Sequence, residues 1–163
     1  MNIENSKGTL QNLLLKVQEQ HNRSADFLAS TSNLQKITND EGKPQIVIEA
    51  VGEPTRILDI NDHAFGQIAQ NVEIDTRTAR RLQEKIPHEY DGVVNALFQK
   101  EPTNRMVRTF LDTDETSGTV RAFVSDKFKT FDNKNLLEAS LPQLMESDAQ
   151  WQVVNGTVTD KRL

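Results

Sequence analysis

An α+β fold is predicted by three features of the sequence. Apolar residues recur at helical spacing near the start of the chain and again through its middle. Runs of period two, rich in β-branched residues, lie on either side of that middle, and clusters of turn formers separate the two kinds of segment. At 163 residues the chain suits one domain. The expected order is an N-terminal helix, a β-hairpin, a central two- to three-helix block over about residues 62–100, and a β-rich unit over about residues 103–163 made of strand, strand, helix and hairpin.

Residues 8–22 read as a helix because Leu10, Leu13, Leu14 and Val17 fall at i, i+3, i+4 and i+7. Residues 23–45 are polar and end in the turn cluster Asn39 to Pro44. Gln45–Val51 then reads as a strand, and Thr55–Leu58 as its hairpin partner across Gly52, Glu53 and Pro54. Asn61 or Asp62 can cap a helix from His63 to about Gln70, and Asp75 or Thr76 a second that Pro87 stops. A third is expected from Glu89 to Lys100, with Val93, Val94, Leu97 and Phe98 as its apolar side. Arg105–Leu111 and Thr119–Val124 alternate like strands around a turn-rich loop. Asp132 can cap a helix through about Met145 that carries Leu136, Leu137, Leu141, Leu144 and Met145 inward, with a kink or early end at Pro142. Asn155–Gly156 marks a last hairpin between Trp151–Val154 and Thr157–Leu163.

Composition excludes more functions than it suggests. The absence of cysteine removes disulfides, thiolate metal sites and thiol nucleophiles together. No apolar run approaches the roughly 20 residues of a spanning helix, and the start of the chain, MNIENSKG, lacks the basic and apolar regions of a secretory signal. A cytoplasmic place, with no membrane partner, is therefore expected. His21, His63 and His88 lack metal-ligand spacing, and no phosphate-binding, nucleophile-elbow or zinc-protease motif occurs. No catalytic residue, metal or cofactor is expected. Asp112, Asp114 and Glu115 lie close in sequence, but an acidic hairpin loop is more often simply solvated.

Charge is distributed unevenly. The net charge is −5, yet residues 77–134 carry 11 basic against 9 acidic side chains, while residues 1–76 carry 6 against 11. Two groupings of cations follow. Gln67–Ile68–Ala69, then Ile74, Ala79 and Leu82, have the spacing of a helix-turn-helix, whose second helix would show Arg77, Arg81 and Lys85 on one face with Arg80 beside them. Glu73 stands where that motif prefers glycine, and a left-handed backbone is costly there unless Asn71 supplies the turn. The blander reading is two ordinary packed helices with a basic outer side. The second grouping is in the strands. Alternation places Arg108 with Phe110 and Arg121 with Phe123, and an aligned hairpin would gather all four on one surface, continued by Lys127 and Lys129. Aromatic rings stack unpaired bases while arginines take phosphates; the competing reading buries both phenylalanines.

The segments Arg108–Leu111, Gly118–Phe128 and Phe131–Asn133 resemble domain-of-unknown-function family 932, the phage/plasmid-like proteins. In that family a strand of the pattern R-A-F-[LV]-S-D-[RK]-[YF] precedes D-N and a leucine-rich helix. Asp62–Ala69 with Ile74, Arg80, Arg81 and Leu82 is similar to the family's upstream helical segment, Val94–Asn95 to a further pair, and Thr159–Leu163 to a later strand. The similarity spans roughly residues 23–163 and corresponds to the family's N-terminal half. The N-S-E-x-G and C-T-N-G-like segments of the second half are absent. The resemblance implies a mobile-element context and supplies no catalytic residues. The leading expectation is a non-enzymatic nucleic-acid-associated protein, binding single strands in recombination or replication through Arg108, Phe110, Arg121, Phe123, Lys127 and Lys129. The alternatives are a duplex binder using Arg77, Arg80, Arg81 and Lys85, or an acidic module that binds a host protein in counter-defence. An open final strand would also invite self-association.

Overall fold

A computed structural model describes residues 3–146, leaving aside the side chains of residues 3–10, 144 and 145. The expected hairpin at 151–163 lies outside the described residues. Contacts divide the chain into a unit of Ser24–Phe128 and a second unit formed by the two ends.

In the end unit, α1 (Ile3–Arg23) and α5 (Asn133–Glu146) are the described elements. Val17 is buried and Leu13 half-buried on α1, but Leu14 and Leu15 are exposed. On α5 Leu137 and Leu141 are half-buried, whereas Leu136 is exposed rather than inward. The helix continues through Pro142 instead of ending there. Asn133 and Gln20 join the two helices by a side-chain hydrogen bond of 3.4 Å.

The larger unit is α+β. Its strands are β1 (Ser24–Ser30), β2 (Leu34–Thr38), β3 (Pro44–Ile48), β4 (Arg56–Ile60), β5 (Asn104–Leu111) and β6 (Gly118–Ser125). They form one mixed sheet in the order β1-β5-β6-β4-β3-β2. Only β4 and β6 run parallel, joined at Asp59↔Thr119 and Ile60↔Val120. The hairpin of β3 and β4 agrees with expectation. β1 and β2 were not predicted, because neither alternates apolar-in and polar-out: β1 turns the apolar Leu28 outward along with Asp26, and the inward position Lys36 of β2 is a charged residue.

Both edges of the sheet, β1 and β2, are joined by the single turn Thr31–Asn33. The four steps from Ser30 to Leu34 span at most about 14 Å, whereas five strand spacings of a flat sheet need about 24 Å. The sheet must therefore curl, and Arg56 at the start of β4 reaches across to lie 4.7 Å from the centre of the Phe27 ring on β1.

The concave side is filled by α2 (Asp62–Asn71), α3 (Thr76–Lys85) and α4 (Pro87–Lys100). Asn61 and Asp75 are the caps of the first two, each accepting from the backbone N–H three residues on. Pro87 opens α4, where its missing N–H costs nothing. Ile46, Leu58, Phe65, Ile68, Val94, Phe98, Val107, Val120 and Phe123 make up most of the core between sheet and helices.

Candidate nucleic-acid interface

α2 and α3 are joined by a short turn, at the position where the sequence has helix-turn-helix spacing. α2 ends in a tight reversal in which Glu73 N donates to Gln70 O (3.1 Å) and Ile74 N to Ala69 O (2.9 Å). These two bonds satisfy carbonyls that a helix end leaves open, and they require a left-handed residue between the helix and Ile74. Glu73 takes it, at φ 57°; Asn71 remains the last residue of α2 and does not supply the turn. Ile68, Ala69, Val72 and Ala79 are buried, and Ile74 and Leu82 pack on them. Gly66 allows the start of α3 to come close, since a Cβ there would meet Thr76 at 3.4 Å.

That packing sets what α3 shows outward. Arg77, Arg80, Arg81, Glu84 and Lys85 are all exposed. Arg80 donates to the Asp62 carboxylate (3.2 Å) and lies 5.6 Å from the Phe65 ring centre, so it is committed to α2. Lys85 is paired with Glu84 at 2.7 Å. Among the described residues, Arg77 and Arg81 have no salt-bridge partner, and their spacing of four residues puts them on one helical face. Asp75 lies beside Arg77; its carboxyl is held below the usual range chiefly by its hydrogen bonds from Thr78.

A buried network that the sequence did not disclose fixes α3 to the sheet. Lys36 on β2 is fully buried. Its ammonium donates to Gln83 Oε1 of α3 (2.7 Å) and to Asp91 Oδ1 of α4. Thr38 donates to the same Asp91 oxygen (3.0 Å), and Gln83 Nε2 donates to Thr38 Oγ1 (3.0 Å). The ammonium also sits 4.7 Å from the centre of the Tyr90 ring. Burial lowers the Lys36 pKa, and the Asp91 carboxylate opposes that shift. The Tyr90 hydroxyl is pushed up to about 12, first by burial and then by the Asp91 charge. Nothing in the local sequence marks Lys36; only a neighbouring carboxylate from residue 91 makes a lysine tolerable at that depth.

The strands do not assemble the surface expected of them. The ladder pairs Arg108 with Ala122 but Thr109 with Val120, so Arg121 is an extra residue, a β-bulge. A bulge breaks strict alternation: Val120 and Phe123 both turn to the core, beside Val107 and Thr109. Phe123 is 3% exposed, stacks on Phe98 with ring centres 6.1 Å apart, and its backbone N–H donates to Gln67 of α2. Arg108, Phe110 and Arg121 belong to the opposite face. There the Arg121 guanidinium covers the Phe110 ring at 4.6 Å, and Phe110 is 4% exposed. Arg108, equally buried, donates from Nε to both oxygens of Asp26 on β1 (3.3 and 3.2 Å) and lies 5.6 Å from the Phe128 ring centre. The expected platform of two arginines and two phenylalanines is thus divided between two faces, and its remaining phenylalanine is covered. Lys127 and Lys129 are exposed.

Among the described residues no three His, Asp or Glu side chains are grouped as a metal site would require. In the 112–118 loop the acids serve the turn, with Asp114 accepting from the backbone of Thr116 and Ser117. Among those residues, too, no helix is long and apolar enough to cross a membrane. Comparison with family models, with curated proteins and with solved structures finds no match for this chain.

Proposed function

We propose that this chain is a non-enzymatic duplex-DNA-binding protein whose α3 is the recognition helix. The observation that carries this reading is the left-handed Glu73 turn, which packs α3 by Ala79 and Leu82 and presents Arg77 and Arg81 to solvent. In such a unit the outward side of the second helix enters the major groove, where arginine meets guanine edges or phosphates. The phage- or plasmid-type setting implied by the family resemblance belongs to the same proposal. A single-strand mode on the strands is disfavoured, since Phe123 is a core residue and Phe110 lies beneath Arg121.

The test is a salt titration of binding to duplex and single-stranded oligonucleotides. Duplex binding should weaken as salt rises, with a negative slope of log affinity against log salt. Arg81→Ala should weaken it and reduce the slope by about 1 if that guanidinium meets phosphate. A preference for single strands that Arg81→Ala leaves unchanged would transfer the function to another surface. Absence of binding to either polymer at low salt would remove nucleic acid from the account and favour a protein partner.

A further inference from the structure

The two edges of the curled sheet are finished differently. On β2 the edge is closed by α4: Asn95 accepts from Lys36 N (2.7 Å) and donates to Lys36 O (2.8 Å), and Gln99 donates to Ser32 O (2.8 Å). On β1 no such cover exists among the described residues. Thr31 N donates to Thr103 O, one step beyond the pair Ser30↔Asn104. Because hydrogen-bonding direction alternates along a strand, the odd residues of β1 bond to β5. The amides and carbonyls of Asp26 and Leu28 then point away from the sheet, and neither has a bonding partner among the described residues. The Leu28 side chain is 68% exposed beside them.

This edge borders a cleft of about 1170 Å³, lined by residues 26–30 of β1, the turn after it, the start of β2, the end of β3 with the loop that follows it, and Asn95 and Gln99 of α4. Its floor and rim include Phe27, Leu28, Val47 and Val51. The charged side chains lining it are Asp26, Glu49 and Glu53, all acidic. Asp26 is paired with Arg108 and Glu53 with Arg56, but Glu49, which is exposed, has no ion-pair partner among the described residues.

We propose that the cleft binds an extended peptide segment of a partner protein, added as a strand to β1, with alternating apolar residues and at least one lysine or arginine for Glu49. Main-chain bonds to Asp26 and Leu28 supply affinity, as in other cases of strand addition. The apolar wall and the single uncompensated carboxylate supply selectivity. The acidic lining argues against nucleic acid here, so this site is separate from α3.

The experiment uses the full chain and a labelled peptide of the sequence Val-Lys-Val-Lys-Val-Lys-Val, as long as the seven residues of β1, against the same peptide with glutamate for lysine. The lysine peptide should bind and the glutamate peptide should bind at least about tenfold more weakly. Binding should slow hydrogen exchange at the Asp26 and Leu28 amides. Leu28→Pro, which removes an outward N–H while sparing every bond to β5, should lower affinity by about tenfold or more, with an unchanged circular dichroism spectrum. Glu49→Gln, at an exposed position, should weaken the lysine peptide alone. Equal affinity for the two peptides, no binding of either, or wild-type binding by Leu28→Pro would overturn the proposal. So would a dimer of the unliganded chain that Leu28→Pro converts to monomer, which would give the edge to a second copy instead.

Discussion

Replacing Glu73 by glycine should stabilise this protein, although it deletes a side chain. Glu73 occupies the left-handed region at φ 57°, where a Cβ crowds the following carbonyl at a cost of about 1–2 kcal/mol. Its side chain is exposed, so little packing is lost. Against this stands the greater freedom that glycine gives the unfolded chain, about 0.4–1 kcal/mol. The difference favours Glu73→Gly by roughly 0.5–1 kcal/mol. For a chain of this size each kcal/mol moves Tm by about 2–4 °C, so a rise of about 1–4 °C is expected. Thermal melting followed by circular dichroism measures it, with urea midpoints as a check. Glu73→Val should move Tm the other way, because a β-branched side chain tolerates this backbone least. A Glu73→Gly protein that melts at or below the parent temperature would refute the left-handed turn, and with it the packing that exposes Arg77 and Arg81.

Three further outcomes follow from the core. Tyr90 is the only tyrosine, so a tyrosinate absorbance titration reports it alone. Its midpoint should lie at about 12 in the folded chain and near 10 in denaturant. Because the folded state holds this proton more tightly, the stability that Tyr90 contributes is present below about pH 10 and is lost as pH climbs through the folded value. Lys36→Met should cost about 3–5 kcal/mol by leaving Asp91 buried without its cation, whereas Lys36→Met with Asp91→Leu should recover much of that loss; urea unfolding distinguishes the two. Phe123→Ala should cost about 3–5 kcal/mol as a cavity-forming change against Phe98. Were Phe123→Ala instead neutral to stability and harmful to single-strand binding, the core position of that ring would be wrong.

Much of the architecture was legible in local chemistry. The caps Asn61 and Asp75, the stop at Pro87, the β3–β4 hairpin and the two long strands near residues 104–125 each rest on short-range rules, so they could be read one segment at a time. The spacing of Ile68, Ala69, Ile74, Ala79 and Leu82 likewise specified which side of α3 is inside. Helix and turn signals act within a few residues, and the chain carries them in order.

What tertiary structure alone decided were matters of pairing. β1 and β2 show weak strand signals because edge strands need only one covered face, and their identity depends on β5 and β3 as neighbours. Lys36 is inside because Asp91 and Gln83 arrive from other elements. Phe123 and Phe110 are parted because one extra residue in β6 must be accommodated opposite Arg108 and Thr109, and alternation read along a single strand carries no record of its partner's register.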